Sequence, residues 1–169
     1  MTISMYQASV PVFQPTLKAL DAILGKAAAY AEARKIDPAT LLNARLYPDM
    51  FALTRQVQIA TDHAKGAGAR LAGVAVPSFP DTEATLPELK ERIARTLAFL
   101  ATLKPGQIDG SEERDITITV GGQERHFKGL DYLLGYALPN FYFHAVTAYA
   151  ILRHNGLEVG KRDFLGVAS

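Results

Sequence analysis

The chain has 169 residues, 18 basic against 17 acidic side chains, a formal charge of +1 and no cysteine. That length suits one domain, 1–169, with a sizeable core, and the even scatter of charge leaves no footprint for nucleic acid or an anionic membrane. Without cysteine there is no disulfide, thiolate ligand or cysteine nucleophile; with an N-terminus, MTISMYQASVPVF, that lacks a basic and then apolar leader, the expectation is a cytoplasmic protein.

Helical spacing of Leu17, Leu20, Ile23, Leu24, Ala27, Ala28 and Ala31 predicts a first helix from about Ser4 to about Arg34. Pro11 and Pro15 each remove a backbone donor, so its first turns are expected to be kinked. The segment 36–50 is a connector in which Asp37-Pro38 can start a helical turn. Pro48-Asp49 then supplies a stop and an N-cap for a second helix, which ends near Gly73. A proline-rich loop, 74–84, leads to a third helix opened by the capping box Thr85-Leu86-Pro87-Glu88. Leu89, Ile93, Leu97 and Leu100 carry that helix to about Leu103, where Lys104-Pro105-Gly106 stops it.

The apolar period then falls to two. Ile116-Thr-Ile-Thr-Val120, Gly121-Gly122 and Gln123-Glu-Arg-His-Phe127 read as a hairpin with a two-residue primed turn. In that register Ile116 faces Phe127 and Ile118 faces Arg125, while Thr117 with His126 and Thr119 with Glu124 share the polar face. The last helix spans Gly129 to about Asn155-Gly156 and is apolar on nearly every side, which predicts complete burial. Asp131, Pro139, Asn140 and His144 interrupt its apolar run and argue against a membrane span. In the tail 157–169, Phe164 and Leu165 are expected to dock on the bundle or on a second subunit. Four long helices with one hairpin between the third and the fourth make an all-α four-helix bundle.

Two polar residues inside the last helix, Asn140 and His144, stand one turn apart and project the same way. His63 lies in the middle of the second helix. Facing one another in a core, these three would form either an open metal site or a hydrogen-bonded polar cluster that fixes helix register. His154, beside Arg153 at a helix end, suits the helix dipole, and His126 faces solvent. Asp62 points about 100° away from His63 and suits a cross-helix salt bridge. Arg45 and Asp49 suit a loop clamp, and Tyr132, Tyr136, Tyr142 and Tyr149 suit packing and interface contact.

The stretches LLNARLYPDMF (41–51), QVQIATDHAKGAGARLAG (56–73) and GLDYLLGYALPNFYFHAVTAYAILRHNG followed by GKRDFLG resemble the bacterial domain-of-unknown-function family nineteen-ninety-three. That family is similar to a branch of the DinB/YfiT-like four-helix bundle superfamily. The resemblance implies that fold. Its better-known members are metal-dependent thiol transferases and isomerases, holding a divalent metal with one histidine on the second helix and a His-x-x-x-His pair on the last. Carried over by position, His63 is similar to the second-helix ligand, His144 to the second member of the pair, and Asn140 stands where the first would be. The arginine and glutamine that often follow the pair are replaced, since Ala145-Val146-Thr147 stand there.

The resemblance and these residues together imply two functions. The first is a small-molecule-binding or non-catalytic bundle whose metal pocket, His63, Asn140 and His144, is degenerate. The second is a zinc- or nickel-dependent enzyme, thiol transferase or isomerase-like, acting on a small molecule at the same three residues. A neutral amide is a poor substitute for imidazole, which favours the first. The surplus apolar surface of the last helix and of the tail predicts a homodimer through one or the other.

Overall fold

The structure, a computed structural model, describes residues 2–167. Helix α1, Val10–Arg34, begins later than its apolar spacing suggests. Ser9 leaves helical geometry, its hydroxyl donates to the Met5 carbonyl at 2.7 Å, and Pro11 has no amide hydrogen to continue the preceding turn. A short helix α2, Pro38–Leu42, starts at Asp37, whose carboxylate accepts from the Ala39 amide at 2.9 Å. Helix α3, Leu53–Ala72, starts after Ala52, not at Asp49, and no side chain caps it. The Leu53 amide instead bonds the Ala44 carbonyl at 3.0 Å, and Arg45 clamps the loop through the Pro48 carbonyl at 3.1 Å. Gly73 ends α3 with φ +68°, a left-handed conformation that costs a side-chain-bearing residue and not glycine.

Helix α4, Leu86–Thr102, carries the capping box: the Glu88 amide donates to Thr85 Oγ1 and the Glu88 carboxylate accepts from the Thr85 amide. The stop at Pro105 is itself a short helix, α5, Pro105–Ile108. Strands β1, Asp115–Val120, and β2, Gln123–Lys128, pair antiparallel with Ile116 on Phe127, Thr117 on His126, Ile118 on Arg125 and Thr119 on Glu124. Gly121 and Gly122 both have positive φ, as a type I′ turn requires.

The last helix is not continuous. It comprises α6, Gly129–Tyr132, a π-helical turn, Leu133–Ala137, and α7, Leu138–His154. Pro139 has no amide hydrogen to return to the turn before it, and a wider turn accommodates that loss. The tail folds into α8, Lys161–Phe164. Four long helices close a ring in which α1 packs on α4, α4 on α3, α3 on α7 and α7 on α1, with the hairpin at the start of α6. The architecture is all-α with one small hairpin, as the sequence predicts.

The last helix is not buried on every side, and its surplus apolar surface lies on one face. Phe141, Ala145, Ala148, Ile151 and Leu152 face the core, but Phe143 is 57% exposed, Val146 46% and Leu134 53%. A bundle of four helices has one interior, so a helix apolar on all sides leaves one face uncovered. Phe164 packs edge-on against Tyr149 with ring centroids 5.7 Å apart, while Leu165 stays exposed. No described helix is long and apolar enough to cross a membrane.

Candidate functional site

His63, on α3, and His144, on α7, meet across the tightest helix pair of the bundle, their rings nearly parallel with centroids 5.9 Å apart. Gln56, two turns before His63 on the same face, sets the orientation. Its amide nitrogen donates to the Phe51 carbonyl at 3.0 Å, which turns the amide oxygen towards His144 Nδ1 at 2.7 Å. A carbonyl only accepts, so the amide orientation is determined and neutral His144 carries its proton on Nδ1. The Nε2 lone pair is left without the proton and can accept a hydrogen bond or ligate.

Burial is the first cause that pushes the His63 imidazole down to about 4, and charge on His144 acts the same way. Asp62 opposes the shift and Arg70 reinforces it. Burial lowers His144 as well, with Arg55 adding to it. Both rings are therefore neutral at ordinary pH, and a group titrating near 4 is a weak base at neutrality.

Asn140 is half-buried one turn before His144, and its amide nitrogen donates to the carbonyl of Tyr136 at 2.7 Å, within its own helix. The structure thus brings two of the three sequence-selected residues into ring contact and engages the third with the backbone beside the π turn. Among the described residues no group of three or more His, Cys, Asp or Glu side chains is placed to hold a metal ion. Two imidazoles and one amide do not match the three-imidazole set that the resemblance implies.

Beside His63 lies a cavity of about 150 Å³, lined by Asp62, His63 and Arg70 of α3, Ile118 to Val120 of β1, and Tyr132 and Tyr136. The Tyr136 ring meets His63 edge-on at 5.6 Å and stacks on Tyr132 at 5.9 Å. Tyr132 is 1% exposed, and its hydroxyl accepts from Arg70 Nη1 at 3.2 Å. Burial pushes the Tyr132 phenol up. These two tyrosines do more than pack: they form one wall of the cavity. Two larger grooves, of about 580 and 630 Å³, lie against α1 and have neither histidine nor tyrosine in their walls.

Behind the pocket, fully buried Arg92 ties the proline-rich loop to α3 and α4. Its Nη2 reaches Asp62 at 2.7 Å and Asp81 at 3.0 Å, Nη1 reaches Glu83 at 3.0 Å, and Nε donates to Thr61 at 2.8 Å. Asp62 is the cross-helix partner its position on α3 implies. Burial works to raise the Glu83 carboxyl, but hydrogen bonds from Gln58 and Arg92 outweigh it and hold it low. His126 is exposed and sits 3.0 Å from Thr117 Oγ1 through Nδ1, and His154 is exposed in the last turn of α7. Gln56, Arg70 and Arg92 belong to no motif that marks them as functional. A signal for the first two existed: Gln56, His63 and Arg70 are spaced by seven, which keeps them on one helix face.

A family model described as Domain of unknown function (DUF1993) matches residues 5–165. Among solved structures, the chain is similar to a DinB family member protein from Shewanella denitrificans, with 44% identity and a TM-score of 0.87 over 96% of this chain and 92% of that one. No curated protein matches the chain.

Proposed function

The chain belongs to the family Domain of unknown function (DUF1993), and on that premise we propose that it is a DinB-like bundle with a degenerate metal pocket, binding a small molecule without catalysis. One observation carries this reading. The Asn140 amide is hydrogen-bonded to the Tyr136 carbonyl and leaves only two imidazoles together, His63, which lines the cavity, and His144 stacked on it. Neutral, half-buried rings next to a small pocket suit recognition more than proton transfer at neutral pH.

A second reading, a zinc- or nickel-dependent thiol transferase or isomerase-like enzyme, draws support from Gln56, which leaves His144 Nε2 free to ligate. Elemental analysis of protein purified without a metal-affinity tag, with melting curves in zinc and nickel, separates the two. The natural protein is expected to hold no stoichiometric metal. The variant Asn140→His, which restores three imidazoles, is expected to gain about 4 kcal/mol at a thousandfold excess of metal over its Kd. Stoichiometric metal in the natural protein, lost on His63→Ala, would overturn the degenerate-site reading in favour of the enzyme.

A further inference from the structure

Arg70 lines the cavity with no ion-pair partner among the described residues. Its side chain folds back along α3 across Gly66. A Cβ at position 66 would lie 2.5 Å from Arg70 Nη1 and within 4 Å of nothing but Arg70. The glycine therefore opens the path that brings the guanidinium over the helix towards His63. Arg70 Nη1 donates to Tyr132 Oη, so the Tyr132 hydroxyl hydrogen is left to donate elsewhere. Asp62, the one carboxylate in the wall, is already answered by Arg92 at 2.7 Å and Lys65 at 2.7 Å. Arg70 is thus the cation in the wall that no described carboxylate pairs.

The remaining walls mix apolar, aromatic and polar groups: Ile118, Thr119, Val120, the His63 ring and the rings of Tyr132 and Tyr136. A volume of about 150 Å³ is the size of cavity that accepts a benzene ring. We propose that the cavity beneath the hairpin binds a small organic acid, its carboxylate on Arg70 and the Tyr132 hydroxyl and its apolar body against Ile118, Val120 and Tyr136. The inference rests on the pocket being a binding site for small molecules. It adds what kind of molecule is bound and which residues select it. Guanidinium and phenol hydrogens match the two oxygens of one carboxylate, and hydrogen bonds to a charged group outweigh those to a neutral one.

The test is an NMR titration of the full chain with benzoate and with benzamide, which share a shape and differ in charge, following the His63 imidazole resonances. Benzoate is expected to shift His63 and to bind about tenfold or more tightly than benzamide. Arg70→Gln should weaken benzoate by about the same factor and leave benzamide unchanged. Gly66→Ala keeps the charge, favours the helix and displaces only the guanidinium, so it should weaken benzoate without lowering the melting temperature. If Arg70→Gln does not fold, the Gly66→Ala titration decides. Equal binding of the two probes, or benzoate binding indifferent to both substitutions, overturns the carboxylate assignment while leaving a small-molecule pocket. If neither probe moves His63 at tens of millimolar, the pocket reading falls with it.

Discussion

His63 makes stability depend on pH in a defined window and direction. Its folded value of about 4 lies below the ordinary 6.5, so the native state resists a proton that the unfolded chain accepts. Above about pH 6.5 neither state is protonated there and stability is unaffected. As pH falls from 6.5 towards 4, the unfolded state binds the extra proton and the native state loses ground; below about 4 the loss is complete. At 1.36 kcal/mol per unit, the full shift corresponds to about 3 kcal/mol, and His63 is only half-buried, so about 2 kcal/mol is the expected share. That is a large fraction of a margin of ~5–15 kcal/mol. Urea unfolding of the natural protein and of His63→Gln, at steps from about pH 7.5 to about pH 4.5, isolates it. Carboxylates held low, such as Glu83, also cost stability in acid, but lower down and equally in both proteins. The difference between the two should shrink by about 2 kcal/mol across the window. Parallel curves, with the His63 ring titrating near its ordinary value, would refute the reasoning.

Two further outcomes follow from the packing. Arg92→Met leaves Glu83, whose side chain is 4% exposed, with only the more distant and exposed Arg95 at 3.7 Å; a loss of about 3 kcal/mol by urea unfolding is expected, and a loss below about 1 would mean the loop is held by other contacts. The uncovered face of α7, with Phe143 and Val146, is expected to bury itself in a homodimer, so light scattering should give twice the 18.3 kDa monomer and Phe143→Glu should halve it. A monomer at micromolar concentration for the natural chain would reject that.

Much of the fold was legible because its signals are local. The hairpin pairs residue for residue as read, since strict alternation and two successive glycines leave one register. The capping box at Thr85 and the left-handed end at Gly73 are likewise written in a few neighbouring residues. The start of α3 was not legible: Asp49 has the chemistry of a cap, but the Ala44 carbonyl takes the Leu53 amide, and that tertiary contact sets the boundary. The uncovered face of α7 was legible as surplus apolar surface, since an all-round apolar helix exceeds what one bundle interior covers, but which residues make up that face was not. At the candidate site, the pairing of His63 with His144 was legible from helix placement. The roles of Gln56 and Arg70 were hidden by their ordinary composition: a glutamine and an arginine on a helix usually face water, and only the seven-residue spacing with His63 marks them.

The π turn explains why the pocket has the shape it does. In an unbroken helix the twelve positions from Tyr132 to His144 would put those side chains about 120° apart. Absorbing one residue in a wider turn reduces the effective separation to eleven positions, and the two lie within about 20° of each other. Both then face α3, as observed: His144 stacks on His63, while Tyr132 meets Arg70 one α3 heptad further along. The same turn places the Tyr136 carbonyl where Asn140 engages it and the Tyr136 ring where it closes on His63. Pro139, which an unbroken helix would accommodate only at the cost of a hydrogen bond, is thus tolerated in the irregularity that aligns the cavity wall. A regular helix through 129–154 could bring His144 to His63 or Tyr132 to Arg70, but not both at once.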